Sequence, residues 1–439
     1  MTVIRNSPPI EEGLWMPFTA MRSFHDAPML FERAEGMHYF TPDGRRVLDM
    51  MGGLWCVNAG HGHPRIVAAI REAAGHLDYV SSFRMGHPPA FAFARRLLDA
   101  VPFMARAFFS NSGSEAVDTA LKIARAYHRA RGEAGRTKFI GRHKSYHGVG
   151  FGGLSVGGIA RHKRDFGPLL ADVFHMPLPH DPAQRFLPGR PEADARWLAG
   201  LEDILAVQDP STVAAVIVEP VTGSGGVYPP PLGYLEALRE ICTRHGILLI
   251  FDEVITGFGR LGACTASEAL GVTPDILTLA KGLTNGAVPM GATLASPQVF
   301  EAFMNLPEGG PEFMHGYTYS AHPLACAAGM AAMDAYQEEG IFAAAGRIAA
   351  PFAEALLALR GAPHVIDARH CGVLGAVELA PRPGAPGARG AEVAERCFAE
   401  GVLIRAAGDT MVFSPPLVIS AAQIEQATTT LARALHAVA

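Results

Sequence analysis

The chain has 439 residues, of which 49% are hydrophobic and 18% charged, a composition typical of a compact globular protein and not of a disordered one. A chain of this length favours two hydrophobic cores over one. The net charge of −5 comes without a run of Lys and Arg, so neither a nucleic-acid-binding nor a membrane-surface protein is expected.

The lack of recognisable targeting signals and the spacing of the cysteines predict a cytoplasmic protein. No apolar run is long enough to span a bilayer, and residues 1–9 lack the regions of a secretory signal. The six cysteines are scattered, with no close pair that would suggest a zinc or redox site. A catalytic thiol at Cys264 or Cys326 is the alternative interpretation.

Alternating strands and helices follow an irregular, aromatic segment of 60 residues, which we expect to pack on the body of the protein or on a partner subunit. An amphipathic helix is predicted over residues 115–131. Short apolar strands are predicted at residues 105–110, 138–141, 213–218, 247–251 and 276–280. This alternation predicts an α/β fold with a mostly parallel sheet that is covered by helices on both faces.

Alanine-rich helical segments and further strand candidates, at residues 373–379 and 401–415, follow residue 325. Residues 382–390 are rich in Pro and Gly and are predicted to form a surface loop. We therefore expect an N-terminal segment at 1–60, a large domain at 61–324 and a smaller domain at 325–439.

Polar residues follow several predicted strands directly, and ligands bind beyond the carboxyl ends of parallel strands. They are the segment Asn111 to Ser114 and the single residues Glu219, Asp252 and Lys281. Ser112 and Glu115 have the spacing of a helix capping box, while the glycine and hydroxyls around them suit a phosphate cradle. Both interpretations of this segment stay open.

Asp252 and Lys281 each end a predicted buried strand, where a charged side chain is unfavourable unless it has a partner or a function. Asp252 could pair with a protonated pyridine nitrogen, the alternative being an N-cap or a salt bridge. A buried lysine amine with a lowered pKa is a nucleophile toward an aldehyde and can carry a proton. Cradle, acid and lysine together favour pyridoxal phosphate, held by Lys281 as a Schiff base.

Tyr146 follows the strand at residues 138–141 and could stack on a flat cofactor ring. His143 and His147 would share a helix face, but no third ligand accompanies them, so no metal site is predicted. Residues 257–262 match the dinucleotide fingerprint GxGxxG. We reject it because five residues separate it from the preceding strand, which already ends in a carboxylate.

The residues resemble the class III pyridoxal-phosphate aminotransferases, and most of all the ω-amino acid:pyruvate (β-alanine:pyruvate) branch. The matching motifs are LWMPFT at 14–19, GLWCVN at 53–58, NSGSE at 111–115, YHG at 146–148, DEVI at 252–255, GFGR at 257–260, AKG at 280–282 and GYTYSAHP at 316–323. The resemblance implies fold type I, with a mostly parallel seven-stranded sheet in the large domain and a smaller α+β domain. It also implies a homodimer, alone or paired into a tetramer, with the N-terminal segment at the subunit interface.

The resemblance assigns cofactor roles to particular residues. Lys281 would carry the cofactor and Asp252 would bind its ring nitrogen, with both residues counted as catalytic. Phosphate would be held by Ser112, Gly113 and Ser114 together with Thr318 of the partner subunit. The remaining implied cofactor-binding residues are Tyr146 and Val254 on the ring faces, His147, and Glu219 beside Asp252.

The resemblance also assigns substrate roles, to Phe18, Trp55, Phe83, Ser224 and Arg405. Arg405 matches a mobile arginine that binds a substrate carboxylate and swings aside for an apolar amine. The alternatives are a surface arginine for Arg405 and core packing for Trp55 and Phe83.

Two departures from the branch bear on the donor. Met21 replaces a usual asparagine, and residues 81–84 have fewer aromatic side chains than some amine-accepting members. Arg84, in the second segment, is a rival carboxylate ligand.

The predicted activity is ping-pong transfer of an amino group from an ω-amino acid or amine to pyruvate or a similar keto acid. Other donors (4-aminobutyrate, a diamine, taurine or an α-amino acid) and a decarboxylase or aminomutase of the same fold are the alternatives. A cofactor-binding transcriptional regulator is disfavoured, because no basic helix-turn-helix pattern precedes residue 100.

Overall fold

The computed structural model describes residues 13–192, 194 and 196–438, so residues 1–12 of the predicted N-terminal segment lie outside the described part. The strands are β1 (Arg33–Glu35), β2 (His38–Phe40), β3 (Arg46–Asp49), β4 (Arg106–Ser110), β5 (Lys138–Arg142), β6 (Val173–Met176), β7 (Val213–Val218), β8 (Leu248–Asp252), β9 (Ile276–Leu279), β10 (Gly291–Ala295), β11 (Val365–Cys371), β12 (Leu374–Leu379), β13 (Val402–Leu403), β14 (Arg405–Ala407) and β15 (Thr410–Phe413). The helices are α1 (Met21–Asp26), α2 (Gly52–Trp55), α3 (Pro64–His76), α4 (Pro88–Ala100), α5 (Gly113–Ala130), α6 (Phe151–Val156), α7 (Ala160–Lys163), α8 (Arg196–Gln208), α9 (Tyr234–His245), α10 (Ala266–Leu270), α11 (Pro297–Met304), α12 (Pro323–Glu338), α13 (Ile341–Leu357), α14 (Ala388–Ala399) and α15 (Ala421–His436). Short 3₁₀ turns lie at Pro210–Thr212 and Lys281–Thr284.

A seven-stranded sheet in the order β4-β10-β9-β8-β7-β5-β6 forms the centre of the fold. β10 runs antiparallel to both of its neighbours, and the other adjacent strands pair in parallel. Every residue of β7, β8 and β9 is buried, as continuous apolar runs require of strands covered on both faces. The predicted fold class and the predicted strands of this sheet are confirmed.

Two smaller sheets involve the ends of the chain. One has the order β11-β12-β15-β14, and its side chains pack with α13, α14 and α15. In the other, β13 pairs in parallel with β3, so part of the N-terminal segment shares a sheet with the C-terminal part of the chain. α12 packs in the hydrophobic cluster of the large sheet, and the domain limits at residues 60 and 324 stay a prediction.

Two local expectations differ from the structure. The loop predicted at residues 382–390 ends early, because α14 begins at Ala388. His143 and His147 lie in non-helical backbone and do not share a helix face. Among the described residues no single helix is long and apolar enough to cross a membrane, although α12 and α13, bent by 62°, pass that test as a pair.

Candidate active site

A cavity of about 270 Å³ opens at the carboxyl ends of β4, β5, β7, β8 and β9. It is lined by nine of the residues that the sequence singled out: Ser112, Gly113, Ser114, Tyr146, His147, Glu219, Asp252, Val254 and Lys281. The strand order of the sheet brings them together, although they are spread over 170 positions of the sequence, from 112 to 281.

The first turn of α5 forms one wall of the cavity. The Ser112 hydroxyl accepts a hydrogen bond from the backbone N–H of Glu115 at 3.1 Å, so the predicted helix cap is present. The backbone N–H groups of Gly113 and Ser114 have no acceptor among the described residues, as expected for the start of a helix. The Ser114 hydroxyl accepts from the N–H of Val149 at 3.1 Å and keeps its own proton for a ligand. The first turn of α5 thus has a cap and also free donors that could hold an anion.

Asp252 is buried at the end of β8, where its carboxylate has three polar contacts. Its Oδ2 lies 2.7 Å from Nδ1 of His147, while Oδ1 accepts from the Thr278 hydroxyl and the Val254 N–H, both at 3.1 Å. Nε2 of His147 is buried and has no hydrogen-bond partner among the described residues. This arrangement orients the carboxylate toward the cavity.

Glu219 fastens two loops at the cavity wall. Its carboxylate accepts from the N–H of Tyr146 and from the N–H of Gly223, both at 2.9 Å. Burial raises the pKa of the Glu219 carboxyl above its usual range. Arg142 donates to the Glu219 main-chain oxygen at 2.5 Å and to the Thr222 hydroxyl at 2.7 Å, which ties the same loop to the end of β5.

Lys281 follows β9 with its backbone in the left-handed region, at φ 51°. Burial lowers the pKa of its amine, and the negative charge of Asp252 opposes that effect. Its Nζ has no hydrogen-bond partner within the described part of the chain. A half-buried amine that keeps a larger neutral fraction is suited to act as a nucleophile and a base.

Trp55 and Arg405 lie close to each other outside the cavity lining. The Arg405 guanidinium carbon is 5.8 Å from the centroid of the buried Trp55 ring. Burial, followed by the positive charge of Arg161, lowers the pKa of Arg405. Arg405 forms no ion pair with any described carboxylate, which leaves its donors open to a ligand. Ser224 is half-buried in the loop that Glu219 fastens through Gly223.

Three further predicted site residues also lie outside the cavity lining, and all three are exposed. Phe18 and Phe83 are 78% and 54% exposed, and Thr318 is also exposed. Phe18 meets the ring of His162 edge-on at 5.6 Å, and His162 meets Tyr146 in the same way at the same separation. The Thr318 main-chain oxygen accepts from the Tyr79 hydroxyl at 2.9 Å.

Some residues of the site were missed by sequence reasoning. Thr278 and Arg142 hold Asp252 and Glu219, and an arginine or threonine inside an apolar strand was the available signal. Other cavity-lining residues follow Lys281 directly: Thr284, Gly286, Val288, Pro289 and Met290. No motif identified them, because their place depends on how the chain turns after Lys281.

Comparisons with known proteins agree with this geometry. The aminotransferase class III family matches residues 20–435. The chain is 53% identical over 426 residues to an ω-aminotransferase of Caulobacter vibrioides, covering 97% of each chain. It is 44% identical over 442 residues to a β-alanine–pyruvate aminotransferase of Pseudomonas aeruginosa, covering 99% of this chain and 98% of that one. An amine transaminase from an uncultivated Pseudomonas species, solved with pyridoxal phosphate, has a TM-score of 0.89 at 38% identity, covering 98% of this chain and 99% of that one.

Proposed function

This chain belongs to the class III aminotransferases, which use pyridoxal phosphate, and on that premise we propose that it transfers the amino group of an ω-amino acid or amine to pyruvate or a similar keto acid. The names of the ω-aminotransferase and the β-alanine–pyruvate aminotransferase support this choice of substrates. The structural observation that carries it is Arg405, whose guanidinium lies over Trp55 without a carboxylate partner among the described residues.

The cavity fits pyridoxal phosphate. The free N–H groups of Gly113 and Ser114 and the hydroxyls of Ser112 and Ser114 suit the phosphate, to which Thr318 of the partner subunit would also donate. Asp252 suits a protonated ring nitrogen, and its bonds to His147 and Thr278 keep it in place. When bound, the cofactor supplies an electron-withdrawing ring that stabilises negative charge on the substrate carbon.

The walls of the cavity orient the ring. Tyr146 would stack on one face, and Val254 would pack against the other. Glu219 holds the backbone of Tyr146 and of Gly223, so one carboxylate fixes both the stacking residue and the loop that carries Ser224. Because both bonds go to the same carboxylate, Tyr146 and the loop that carries Ser224 are held next to each other.

Lys281 moves the proton in the proposed reaction. Once its Nζ is free of the cofactor, the amine takes a proton from the donor carbon that bears the nitrogen and later returns one to the keto-acid carbon. Its lowered pKa keeps part of the population neutral and able to accept that proton. The negative charge of Asp252 acts against this lowering of the Lys281 pKa.

The Arg405→Ala variant is expected to lose about 10- to 100-fold in kcat/KM for pyruvate, since a charge-assisted hydrogen bond to a carboxylate contributes about 1.5–3 kcal/mol. The half-reaction with an apolar arylalkylamine should change little, because that donor has no carboxylate. Single-turnover kinetics of the two half-reactions would measure both effects. Arg161→Ala removes a neighbouring, exposed guanidinium and is the matched control. Equal losses for both substrates would contradict the role of Arg405.

The Gly113→Ala variant is expected to weaken cofactor binding by about fivefold or more, because overpacking typically costs about 1–3 kcal/mol. A Cβ at Gly113 would lie 2.9 Å from Cγ1 of Val254, the side chain proposed to face the ring. Titration of the apoprotein with pyridoxal phosphate would measure the change. Gly135→Ala is the control, since a Cβ at Gly135 meets nothing within 4 Å. Unchanged affinity in Gly113→Ala would contradict the close packing of this wall.

The experiment that tests the whole proposal follows the visible absorption of the holoenzyme during titration with amines and then with pyruvate. The panel comprises β-alanine, 4-aminobutyrate, taurine, a diamine, an arylalkylamine and α-amino acids. Donors that bleach the yellow form, with the colour restored by pyruvate, would support transamination and rank the substrates. Bleaching that pyruvate cannot reverse would favour a decarboxylase or an aminomutase instead.

A homodimer with shared active sites also belongs to this proposal. It is supported by exposed apolar side chains that one chain does not cover: Leu54, Phe83, Met85, Phe91, Met314 and Tyr319. Sedimentation of the purified protein would test it. A reducing compartment such as the cytoplasm is supported by the six cysteines, none of which forms a disulfide with another described residue.

A further inference from the structure

The turn that carries Lys281 contains several residues in the left-handed region. Lys281 has φ 51°, Asn285 has φ 54° and Gly286 has φ 68°. Glycine adopts this conformation readily and asparagine tolerates it, whereas a lysine there is strained. Such a conformation persists only where the surrounding structure holds it in place. The contacts of residues 281–286 therefore show what holds the lysine.

Tyr336, on α12, contacts this turn through its hydroxyl. The hydroxyl donates to the main-chain oxygen of Gly282 at 2.6 Å, and the same oxygen accepts from the N–H of Asn285 at 3.1 Å. The Tyr336 side chain is buried. The peptide group that follows Gly282, the residue next to Lys281, is thus fixed from outside the turn as well as from within it.

Asn285 connects the turn to the segment that follows Trp55. Its Oδ1 accepts from the N–H of Ala59 at 2.8 Å, and its Nδ2 donates to the main-chain oxygen of Gly60 at 2.9 Å. The side chain is buried and both ends of its amide are used, so the orientation of the amide is fixed. The turn cannot rotate without breaking these two bonds.

Asn58, in the same segment as Ala59 and Gly60, also contacts the turn that carries Lys281. Its Nδ2 donates to the Phe258 main-chain oxygen at 2.7 Å, and its Oδ1 accepts from Arg260 at 2.8 Å. A Cβ at Gly282 would lie only 2.7 Å from this Nδ2, so the backbone of the turn rests directly against the Asn58 amide. Asn58, Asn285 and Tyr336 together surround and hold the turn that carries Lys281.

We propose that Tyr336 and Asn285 are positioning residues that hold Lys281 in its left-handed backbone conformation and so direct its amine into the cavity. The inference rests on the proposed role of Lys281 in transamination. The competing explanation is that these bonds only satisfy buried polar groups, as most buried hydrogen bonds do. The two explanations differ in what happens to the amine when one bond is removed and the fold is kept.

The test compares Tyr336→Phe with Tyr127→Phe in the apoprotein. Tyr127 is also a buried tyrosine with a bonded hydroxyl, which accepts from Arg131 at 2.8 Å and from Gln298 at 3.0 Å. The readout is the rate of acetylation of Lys281 between neutral and alkaline pH, followed by peptide mass spectrometry. The chain has only five lysines, which makes the assignment simple, and the exposed Lys122 is the internal reference.

We expect Tyr336→Phe to slow acetylation of Lys281 by about threefold or more, because a released turn no longer directs the amine into the cavity. Lys122 should react at an unchanged rate in both variants, and Tyr127→Phe should leave Lys281 at the wild-type rate. In the holoenzyme, Tyr336→Phe should lower kcat by about 10- to 100-fold, since a misplacement of about 1 Å has effects of this size. The KM for pyruvate should stay the same.

Asn285→Gly is the second variant, for the case that Tyr336→Phe does not fold. It keeps a backbone that accepts the left-handed region but removes both side-chain bonds, and we expect the same slowing of Lys281. Wild-type reactivity of Lys281 in the folded variants, or equal changes in Tyr127→Phe, would overturn the positioning role. If the wild-type holoenzyme transferred no amino group from any donor of the panel to pyruvate, the proposed function itself would fail, so the two failures are distinguishable.

Discussion

Replacement of Lys281 by alanine is expected to lower the rate of transamination by about 10⁴-fold, the upper range for the loss of a general acid–base group. The variant loses the amine that attaches the cofactor and the base that moves the proton, and no other lysine lines the cavity. Stopped-flow measurement of the half-reaction with β-alanine would give the rate. The yellow absorption of the lysine-linked cofactor should be absent from the same preparation.

Lys281→Arg is the matched control for charge. A guanidinium keeps a positive charge near Asp252, but its pKa is too high for it to act as a nucleophile. We therefore expect it to be as inactive as the alanine variant, although it preserves a positive charge near Asp252. Added methylamine should restore part of the activity to Lys281→Ala, because its small amine can occupy the space left by the side chain. Activity of Lys281→Ala near the wild-type rate without added amine would refute the central assignment.

The sequence predicted those parts of the site that follow directly from strand periodicity. Asp252 and Lys281 each end an apolar run, and parallel strands bring such ends to one edge of the sheet. The helix cap at Ser112 was predictable because Ser112 and Glu115 have capping-box spacing at the start of an amphipathic helix, whereas the phosphate role of this segment stays a prediction. In each case a local pattern and one rule about sheets were sufficient.

The rest of the site depends on contacts between distant parts of the chain. Tyr336 reaches the Lys281 turn from α12, 54 residues away, and no spacing in the sequence indicates that contact. The pairing of His147 with Asp252 spans 105 residues, and sequence reasoning had instead placed His147 on a helix beside His143. Phe18, Phe83 and Thr318 lie outside the single-subunit cavity, so their predicted roles require the second subunit that we propose.

Asp252 and Glu219 are two buried acids in one cavity, and their partners differ. Asp252 contacts an imidazole, a hydroxyl and one backbone N–H, and it follows the strand at the centre of the rim. Among the described residues, the Glu219 carboxylate accepts from two backbone N–H groups and from no side chain. We therefore propose that Asp252 supplies charge to the reaction, whereas Glu219 fixes the backbone.

The Asp252→Asn variant is therefore expected to lose about 10²- to 10⁴-fold in kcat. Removing one partner of a buried ion pair costs about 3–5 kcal/mol, and each 1.36 kcal/mol is tenfold in rate. Asparagine keeps the size of the side chain and an oxygen that can accept from Thr278 or His147, so the fold should survive. What it removes is the charge that keeps the ring nitrogen protonated when cofactor is bound. Single-turnover kinetics with β-alanine would measure the loss.

Glu219→Gln provides the comparison that separates charge from general disturbance of the cavity. It also converts a buried carboxylate into an amide, and it keeps one acceptor oxygen for either the Tyr146 or the Gly223 N–H. We expect it to cost about tenfold or less in kcat, in line with the loss of a neutral hydrogen bond of about 1 kcal/mol. A loss in Asp252→Asn no larger than that in Glu219→Gln would mean that Asp252 acts through packing and hydrogen bonding, and not through its charge.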